Sequence, residues 1–158
     1  MFGFLKKKEP VVIRDTYGVF VLEKNGRGYR GEVDWLGERI SVTLGCDSRE
    51  GFTADKALTA LHSLMETAPA WDARLKDRCC EDLSGAEGMV EIWKEDTDAQ
   101  PVRIPKEEFR ENLRMGFVHI HPDGSLFFDL EPGDLFGDHG IGVDADISGT
   151  IDGADLFG

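Results

Sequence analysis

The sequence predicts an α+β fold: a mostly antiparallel sheet, made of an N-terminal three-stranded meander and further C-terminal strands, with a central helical segment packed on one face. Apolar and polar residues alternate in the first and last thirds of the chain, as in strands with one buried face. Between these thirds, apolar residues recur at helical spacing. We assign residues 1–14 to an N-terminal tail and residues 15–158 to a single domain of ordinary length.

The meander is predicted at residues 17–23, 29–35 and 39–44. The first segment is a short apolar run, which is typical of a strand covered on both faces. The other two alternate, so each is expected to have one buried and one solvated face. Asn25-Gly26 separates the first two segments and tolerates the positive φ of a tight hairpin turn.

Two helices are predicted in the middle of the chain. Thr53 is expected to cap the first, with Asp55 in its first turn and Pro69 at its end. One apolar stripe marks its buried face: Ala57, Leu58, Leu61, Leu64, Met65 and Ala68. A sparser stripe indicates the second helix: Trp71, Leu75, Cys79 and Leu83.

Ser84 and Glu87 match a capping box, which predicts a short further helix. Its inward residues would be Ala86, Met89, Val90 and Trp93. A polar connection is expected over residues 95–103, followed by a helix over residues 105–114 that has proline at its first position. That helix would bury Phe109 and Leu113.

The last third returns to strands. Residues 117–121 and 126–130 form two of them, joined by a Pro-Asp-Gly turn at 122–124. A glycine-rich loop at residues 131–137 precedes a final strand. The inward residues of that strand would be Ile141, Val143, Ala145 and Ile147, alternating with Gly140, Gly142, Asp144 and Asp146.

The charge of the chain is one-sided. Its formal net charge is −13, and no Lys or Arg follows Arg114, although nine acidic residues do. Such a field repels nucleic acid and anionic lipid, and it favours basic protein partners or divalent cations. Acidity that serves only solubility is the alternative.

A cytoplasmic location and no membrane association are predicted. The apolar run of residues 1–5 is shorter than a signal peptide requires, and its lysines follow it instead of preceding it. No apolar stretch reaches the length of a membrane span. Cys46, Cys79 and Cys80 lack the spacing of a disulfide framework or a redox pair, so reduced structural thiols are expected.

The C-terminal acidic cluster is a candidate calcium site. Asp144, Asp146, Ser148, Asp152 and Asp155 occupy the oxygen-donor positions of an EF-hand loop, with glycine at the sixth position. The alternative is a strand whose wet face carries the acidic residues, followed by a turn. The residues before the cluster do not have a helical pattern, which favours the strand.

A second candidate site is the loop that contains Asp134, Phe136, Asp138 and His139. A carboxylate and an imidazole in a glycine-rich loop could bind a ligand, hold a metal ion or transfer protons. Alternatively, the two aspartates cap turns while the histidine packs beside the phenylalanine.

His119 and His121 are predicted to lie on one face of a strand, a spacing that occurs in zinc sites. Such a site would need a further ligand from His62 or His139. The alternative is that the pair lines the wet side of the strand, because Val118 and Ile120 occupy the other side.

Several segments together resemble an uncharacterised bacterial family, domain of unknown function 2262. They are the hairpin at residues 29–44, the helix start at 104–109, the turn at 123–124, the loop at 133–139 and the ending at 152–158. The resemblance assigns no activity. It implies that the C-terminal aspartates belong to a strand and a turn.

These features predict a non-enzymatic acidic binding protein, such as an immunity-type protein or another interaction domain, with a basic protein as its partner. No cofactor is expected. A calcium- or metal-binding module using the C-terminal Asp cluster is one alternative, and a hydrolase around Asp134, Asp138 and His139 is another. Trp35 and Trp71, like Trp93, are expected to serve the core, and an exposed tryptophan would mark an interface.

Overall fold

The computed structural model describes residues 11–47, 49, 51, 53–93 and 102–158. The strands are β1 (Val12–Arg14), β2 (Val19–Leu22), β3 (Gly28–Trp35), β4 (Glu38–Gly45), β5 (Met89–Ile92), β6 (Val102–Pro105), β7 (Arg114–Ile120), β8 (Leu126–Glu131), β9 (Leu135–Asp138), β10 (Gly140–Ala145) and β11 (Ile151–Phe157). The helices are α1 (Asp55–Glu66), α2 (Ala68–Leu83) and α3 (Lys106–Asn112). The predicted α+β class is confirmed for these residues.

Eight strands form one sheet in the order β1-β2-β3-β4-β7-β8-β10-β11. The predicted antiparallel meander is present as β2, β3 and β4. It is part of an eight-stranded sheet, however, and not a three-stranded unit to which further strands are added. β1 adds a fourth N-terminal strand from residues that we assigned to the tail, and β4 pairs with β7 in parallel, Val42 opposite Val118. The segment between β4 and β7 is long enough for the crossover that a parallel pair requires.

The first two helices lie where the sequence predicts them, but their boundaries differ. α1 begins without a side-chain cap, because Thr53 pairs with Asp47 in an isolated β-bridge. Pro69 does not end α1, which stops at Glu66. It lies in the first turn of α2, where its missing N–H leaves no helical hydrogen bond unmade. Within the described residues no helix is long and apolar enough to span a membrane.

α2 supports the sheet in two ways. The Trp71 ring packs against Phe128 of β8, with centroids 5.6 Å apart. Arg78 donates hydrogen bonds to the carbonyls of Ile151 (3.1 Å) and Asp152, while Asp82 accepts one from the N–H of Ala154 (2.8 Å). These bonds satisfy backbone groups on the edge strand β11, which would otherwise be open to another strand.

The helix predicted after Ser84 is wrong, because this segment forms the β5–β6 hairpin. Val90 and Ile92 are buried while Glu91 between them is exposed, which is strand periodicity. Ser84 pairs with Val90 in a β-bridge and caps no helix there. Trp93 is 49% exposed, so its predicted place in the core was also wrong.

The helix predicted over residues 105–114 is confirmed as α3, with Phe109 and Leu113 buried. It ends two residues early because Arg114 already begins β7. Of the predicted polar connection, residues 95–101 lie outside the described residues and Val102 starts β6.

The strand predicted after the glycine-rich loop is confirmed as β10, whose Ile141, Val143 and Ala145 are buried. It ends at Ala145, so the predicted inward position of Ile147 was wrong, and that side chain is exposed in the following turn. The sequence did not predict the strands on either side of it. β9 occupies the end of the glycine-rich loop, and β11 pairs with β10 as a hairpin. Glycine, alanine and aspartate fill much of β11, so it has little of the β-branched and aromatic content that identifies a strand.

Candidate functional site

Four neighbouring strands bring one row of residues into register. Phe117 of β7 lies opposite Asp129 of β8, and Asp129 lies opposite Gly142 of β10. Gly142 in turn lies opposite Asp155 of β11. Side chains alternate along a strand, so the row points away from the face that packs on α2. We call the side of β7, β8, β10 and β11 that carries this row the outer face.

Asp129 is the one buried charged side chain among the described residues, with 8% of its surface exposed. Its Oδ1 atom has no hydrogen-bond partner. Burial, together with the negative charge of Glu131, raises the pKa of the Asp129 carboxyl to about 6. A buried carboxylate without donors is costly, so residues with such perturbed pKa values are candidates for functional sites.

Two glycines make room for this carboxylate. A Cβ atom on Gly140 would lie 2.5 Å from Asp129 Oδ1, and one on Gly116 would lie 2.6 Å from Asp129 Oδ2. The same point above Gly116 is 3.0 Å from Glu131 Oε1, so the two carboxylates lie close together. Any other residue at either glycine would displace Asp129 or the strand that carries it.

Three phenylalanines border Asp129 on the outer face. The Phe127 ring contacts those of Phe117 and Phe157, with centroids 6.0 Å and 5.7 Å apart. The Phe127 and Phe157 rings fold over Gly142, where a Cβ would lie 2.9 Å from the Phe127 ring. Phe117 and Phe157 are each more than one-third exposed, so they present apolar surface to solvent.

A depression of about 420 Å³ opens between Phe117, Phe157 and the loop that follows β8. Its lining residues are Phe117, Asp129, Glu131, Pro132, Gly133, Gly137, Asp138, His139, Gly140, Phe157 and Gly158. The lining contains three carboxylates and one histidine but neither lysine nor arginine. The depression therefore has an electronegative interior and aromatic walls.

The predicted binding loop divides between this depression and the core. Asp138 and His139 line the depression, whereas Asp134 is exposed and lies outside its lining. Phe136 is buried and packs edge-on against Phe109. The His139 ring lies 4.9 Å from that of Trp93. Its Nδ1 atom is 3.2 Å from the Phe136 carbonyl.

The predicted calcium loop is the β10–β11 hairpin, with strands on both sides of its turn. Asp146 caps that turn, accepting hydrogen bonds from the backbone N–H groups of Ser148 (2.9 Å) and Thr150 (3.4 Å) and from the Ser148 hydroxyl. These bonds lower the pKa of the Asp146 carboxyl, led by the one from the Ser148 side chain.

The other predicted calcium ligands are spread along the hairpin. Asp144 and Asp155 are exposed on the outer face, and Asp152 lies at the start of β11. Across the part of the chain that the structure describes, no three His, Cys, Asp or Glu side chains are grouped to hold a metal ion.

The predicted histidine pair is adjacent, with ring centroids of His119 and His121 4.7 Å apart. Burial lowers the pKa of His119, and the neighbouring His121 lowers it further. The further ligands that the sequence offered lie elsewhere. His62 is 2.8 Å from the Asp15 carboxylate, and His139 lies beside Trp93.

The three cysteines are free and buried, as predicted. Burial raises the pKa of Cys79 to about 12, and the pKa of Cys46 and of Cys80 also rises. A thiol with a raised pKa is a poor nucleophile at neutral pH, so these residues serve packing.

Sequence reasoning missed Asp129. Its signal was a lone charge inside the apolar run of residues 126–130, together with unexplained glycines at 116, 140 and 142. The run was read as a strand, and its alternation was not followed to the residue on the opposite face. The role of the glycines can be recognised only from the strand register, which places two of them against the same carboxylate.

Searches of the curated proteins and of the solved structures find no significant match. A family model described as an uncharacterised protein conserved in bacteria (DUF2262) matches residues 14–156. The match spans the sheet from β2 into β11 and includes Phe117, Asp129 and Asp155 of the outer face, but it ends one residue before Phe157. It also agrees with the resemblance drawn from the sequence. The chain belongs to the DUF2262 family of bacterial proteins.

Proposed function

We propose that this chain is a non-enzymatic binding protein that captures a basic protein partner on its outer face, in the bacterial cytoplasm. The observation that supports this proposal is the composition of that face. Carboxylates from β8, β10 and β11 lie among exposed phenylalanines, and no lysine or arginine follows Arg114. Aromatic anchors within a field of one sign are what a charged protein partner requires.

Trp93 extends this surface. It is half exposed, and its ring packs against Phe136 and His139, which lines the depression. Exposed tryptophans concentrate at protein interfaces because a large rigid ring gains much contact area at little entropic cost. Trp93, Phe157 and Phe117 are therefore the expected aromatic contacts of the partner.

Electrostatic attraction of this kind accelerates encounter more than it increases affinity. An immunity-type role, in which a toxic basic protein must be captured quickly, is the form of binding that benefits most from it. The partner is then expected to associate faster at low ionic strength, with the exposed aromatic rings setting the rate of release.

The proposal is tested by capture from the native bacterium, with bound proteins identified by mass spectrometry. An Asp144→Asn/Asp155→Asn variant removes two exposed charges from the outer face. A Glu81→Gln/Glu111→Gln variant removes two exposed charges from the helices and is the matched control. A basic protein retained by wild type and by the control, but lost from the first variant, is the expected result. Equal recovery by all three proteins would refute the proposal.

A second candidate function is hydrolysis, favoured by the closeness of Asp129 and Glu131. Two adjacent carboxyls, one of them titrating near pH 6, can act as proton donor and acceptor. Chromogenic ester, phosphoester and glycoside substrates at pH 5 to 8 provide the test. Turnover that Asp129→Asn abolishes would establish an enzyme, and its absence from every class would leave binding as the function.

A further inference from the structure

We infer that the depression at Asp129 is a pocket for one positively charged side chain of the partner, a lysine ammonium or an arginine guanidinium. This inference rests on the proposed function and names the point at which the basic partner would be held. It depends on three features: a buried carboxylate that lacks a counter-charge, glycines that accommodate it, and aromatic walls.

The Asp129 carboxylate has no counter-charge from the described part of the chain. Its Oδ1 atom lacks a hydrogen-bond partner, and its nearest charged influence, Glu131, is also negative. Arg114 lies opposite Glu131 in the register, yet its Nε atom is directed to Glu38, 3.9 Å from Oε1. A buried carboxylate is stabilised by an opposite charge with hydrogen-bond donors, and a bound cation would supply both.

The shape of the depression suits a compact donor group. Gly140 and Gly116 keep two sides of the carboxylate clear of side chains. Glu131 and Asp138 add carboxylates at the edge of the same space. An ammonium has three donors and a guanidinium has five, so either can contact Asp129 and a second carboxylate together.

The walls of the depression beside Asp129 are aromatic, and aromatic rings attract cations. A Cβ on Gly140 would lie 2.5 Å from Asp129 Oδ1 and 3.0 Å from Cε1 of Phe157, so the carboxylate and the ring border one point. Phe117 lines the depression as well. Lysine and arginine also carry apolar stems, which can cover exposed phenylalanine while the charged end reaches the carboxylate.

The experiment is a two-dimensional NMR titration of the full chain with butylguanidinium and butylammonium chloride. Butylurea, which has a similar shape without the charge, is the control ligand, and ionic strength is held constant. Saturable shifts at the amides of Gly116 and Gly140 are expected with both cations and not with butylurea. Shifts that do not saturate, or that butylurea reproduces, would overturn the inference.

Variants separate the pocket from the general field of the face. Asp129→Asn is expected to weaken binding of the cations at least tenfold. Asp144→Asn gives the same net charge but replaces an exposed residue, and it is expected to change the affinity less than twofold. Glu131→Gln leaves Asp129 in place and is expected to weaken binding of the cations several-fold, which gives a second test that does not depend on replacing Asp129. Equal weakening by Asp144→Asn and Asp129→Asn would overturn the pocket.

Capture from the native bacterium distinguishes this inference from the proposed function. A basic partner that is lost with Asp144→Asn/Asp155→Asn but held equally by wild type and Asp129→Asn would support the function and overturn the pocket. Probe binding that depends on Asp129, with no basic partner recovered by any protein, would overturn the function and support a cation pocket.

Discussion

The Asp129 carboxyl is expected to make the stability of the protein depend on pH, and Asp129→Asn should remove that dependence. The unfolded carboxyl titrates near its ordinary value of 3.8, whereas the folded one titrates at about 6. Between these values the folded protein binds more protons than the unfolded chain, so stability falls as the pH rises. Above about pH 6 the carboxyl is ionised in both states, and the full penalty is present.

The magnitude follows from the size of the pKa change. Each pKa unit corresponds to about 1.4 kcal/mol, so the shift from 3.8 to about 6 amounts to about 3 kcal/mol. Asparagine carries no charge and avoids this penalty. The free energy of unfolding of Asp129→Asn, relative to wild type, should therefore rise by this amount as the pH increases from about 4 to about 7. For a chain of this length the gain corresponds to roughly 5–10 °C in Tm.

The assay is thermal and urea unfolding of both proteins at several pH values from 4 to 8. The quantity to compare is the difference in the free energy of unfolding between variant and wild type, because groups common to both cancel. Asp144→Asn, an exposed carboxylate on the same face, is the control, and its difference from wild type should stay flat. A flat difference for Asp129→Asn as well, or one that falls with rising pH, would refute the reasoning.

Three further predictions concern neighbouring features. Gly140→Ala, whose Cβ would lie 2.5 Å from Asp129 Oδ1, is expected to destabilise the fold by about 1–3 kcal/mol. In an Asp129→Ala background the same substitution should cost clearly less, because the clash is gone. Additive effects of the two substitutions in urea unfolding would contradict this. Asp82→Ala is expected to destabilise by about 1–2 kcal/mol and to speed hydrogen exchange at the Ala154 amide, since it removes the 2.8 Å bond to edge strand β11. Calcium at about 1 mM, added after EDTA, is expected to leave Tm unchanged, whereas a site with a Kd near 10 μM would add about 2.7 kcal/mol. A rise of several degrees that Asp146→Asn abolishes would establish the calcium loop.

Local patterns predicted much of the fold because the forces behind them are local. Alternation located β3, β4 and β10, and helical stripes located α1 and α2. The error after Ser84 arose where a capping pattern and a strand pattern overlapped. Pairing with β6 buries Val90 and Ile92 together, because residues two apart share one face of a strand. In a helix the same two residues would point in different directions.

The topology and the site depended on contacts that no local pattern contains. The parallel pairing of β4 with β7 joins segments that are separated by three helices and a hairpin. The burial of Asp129 could not be predicted until β7, β8 and β10 were placed side by side, because the residues packed against it are Gly116 of β7 and Gly140 of β10. The predicted loop was close to the site, and His139 lines the same depression, but the strand residue beside it carries the perturbed charge.

The position of Asp129 is better suited to an apolar side chain if stability alone is considered. Phe117 lies opposite it and Phe157 borders it above Gly140, and a residue without charge would avoid the desolvation that raises its pKa to about 6. Exposed Glu131 beside it adds repulsion instead of compensation. Proteins keep a destabilising residue mainly where function requires it. Neighbouring residues that make room for such a residue indicate the same thing. The glycines at 116 and 140 are that accommodation, so the site consists of all three residues.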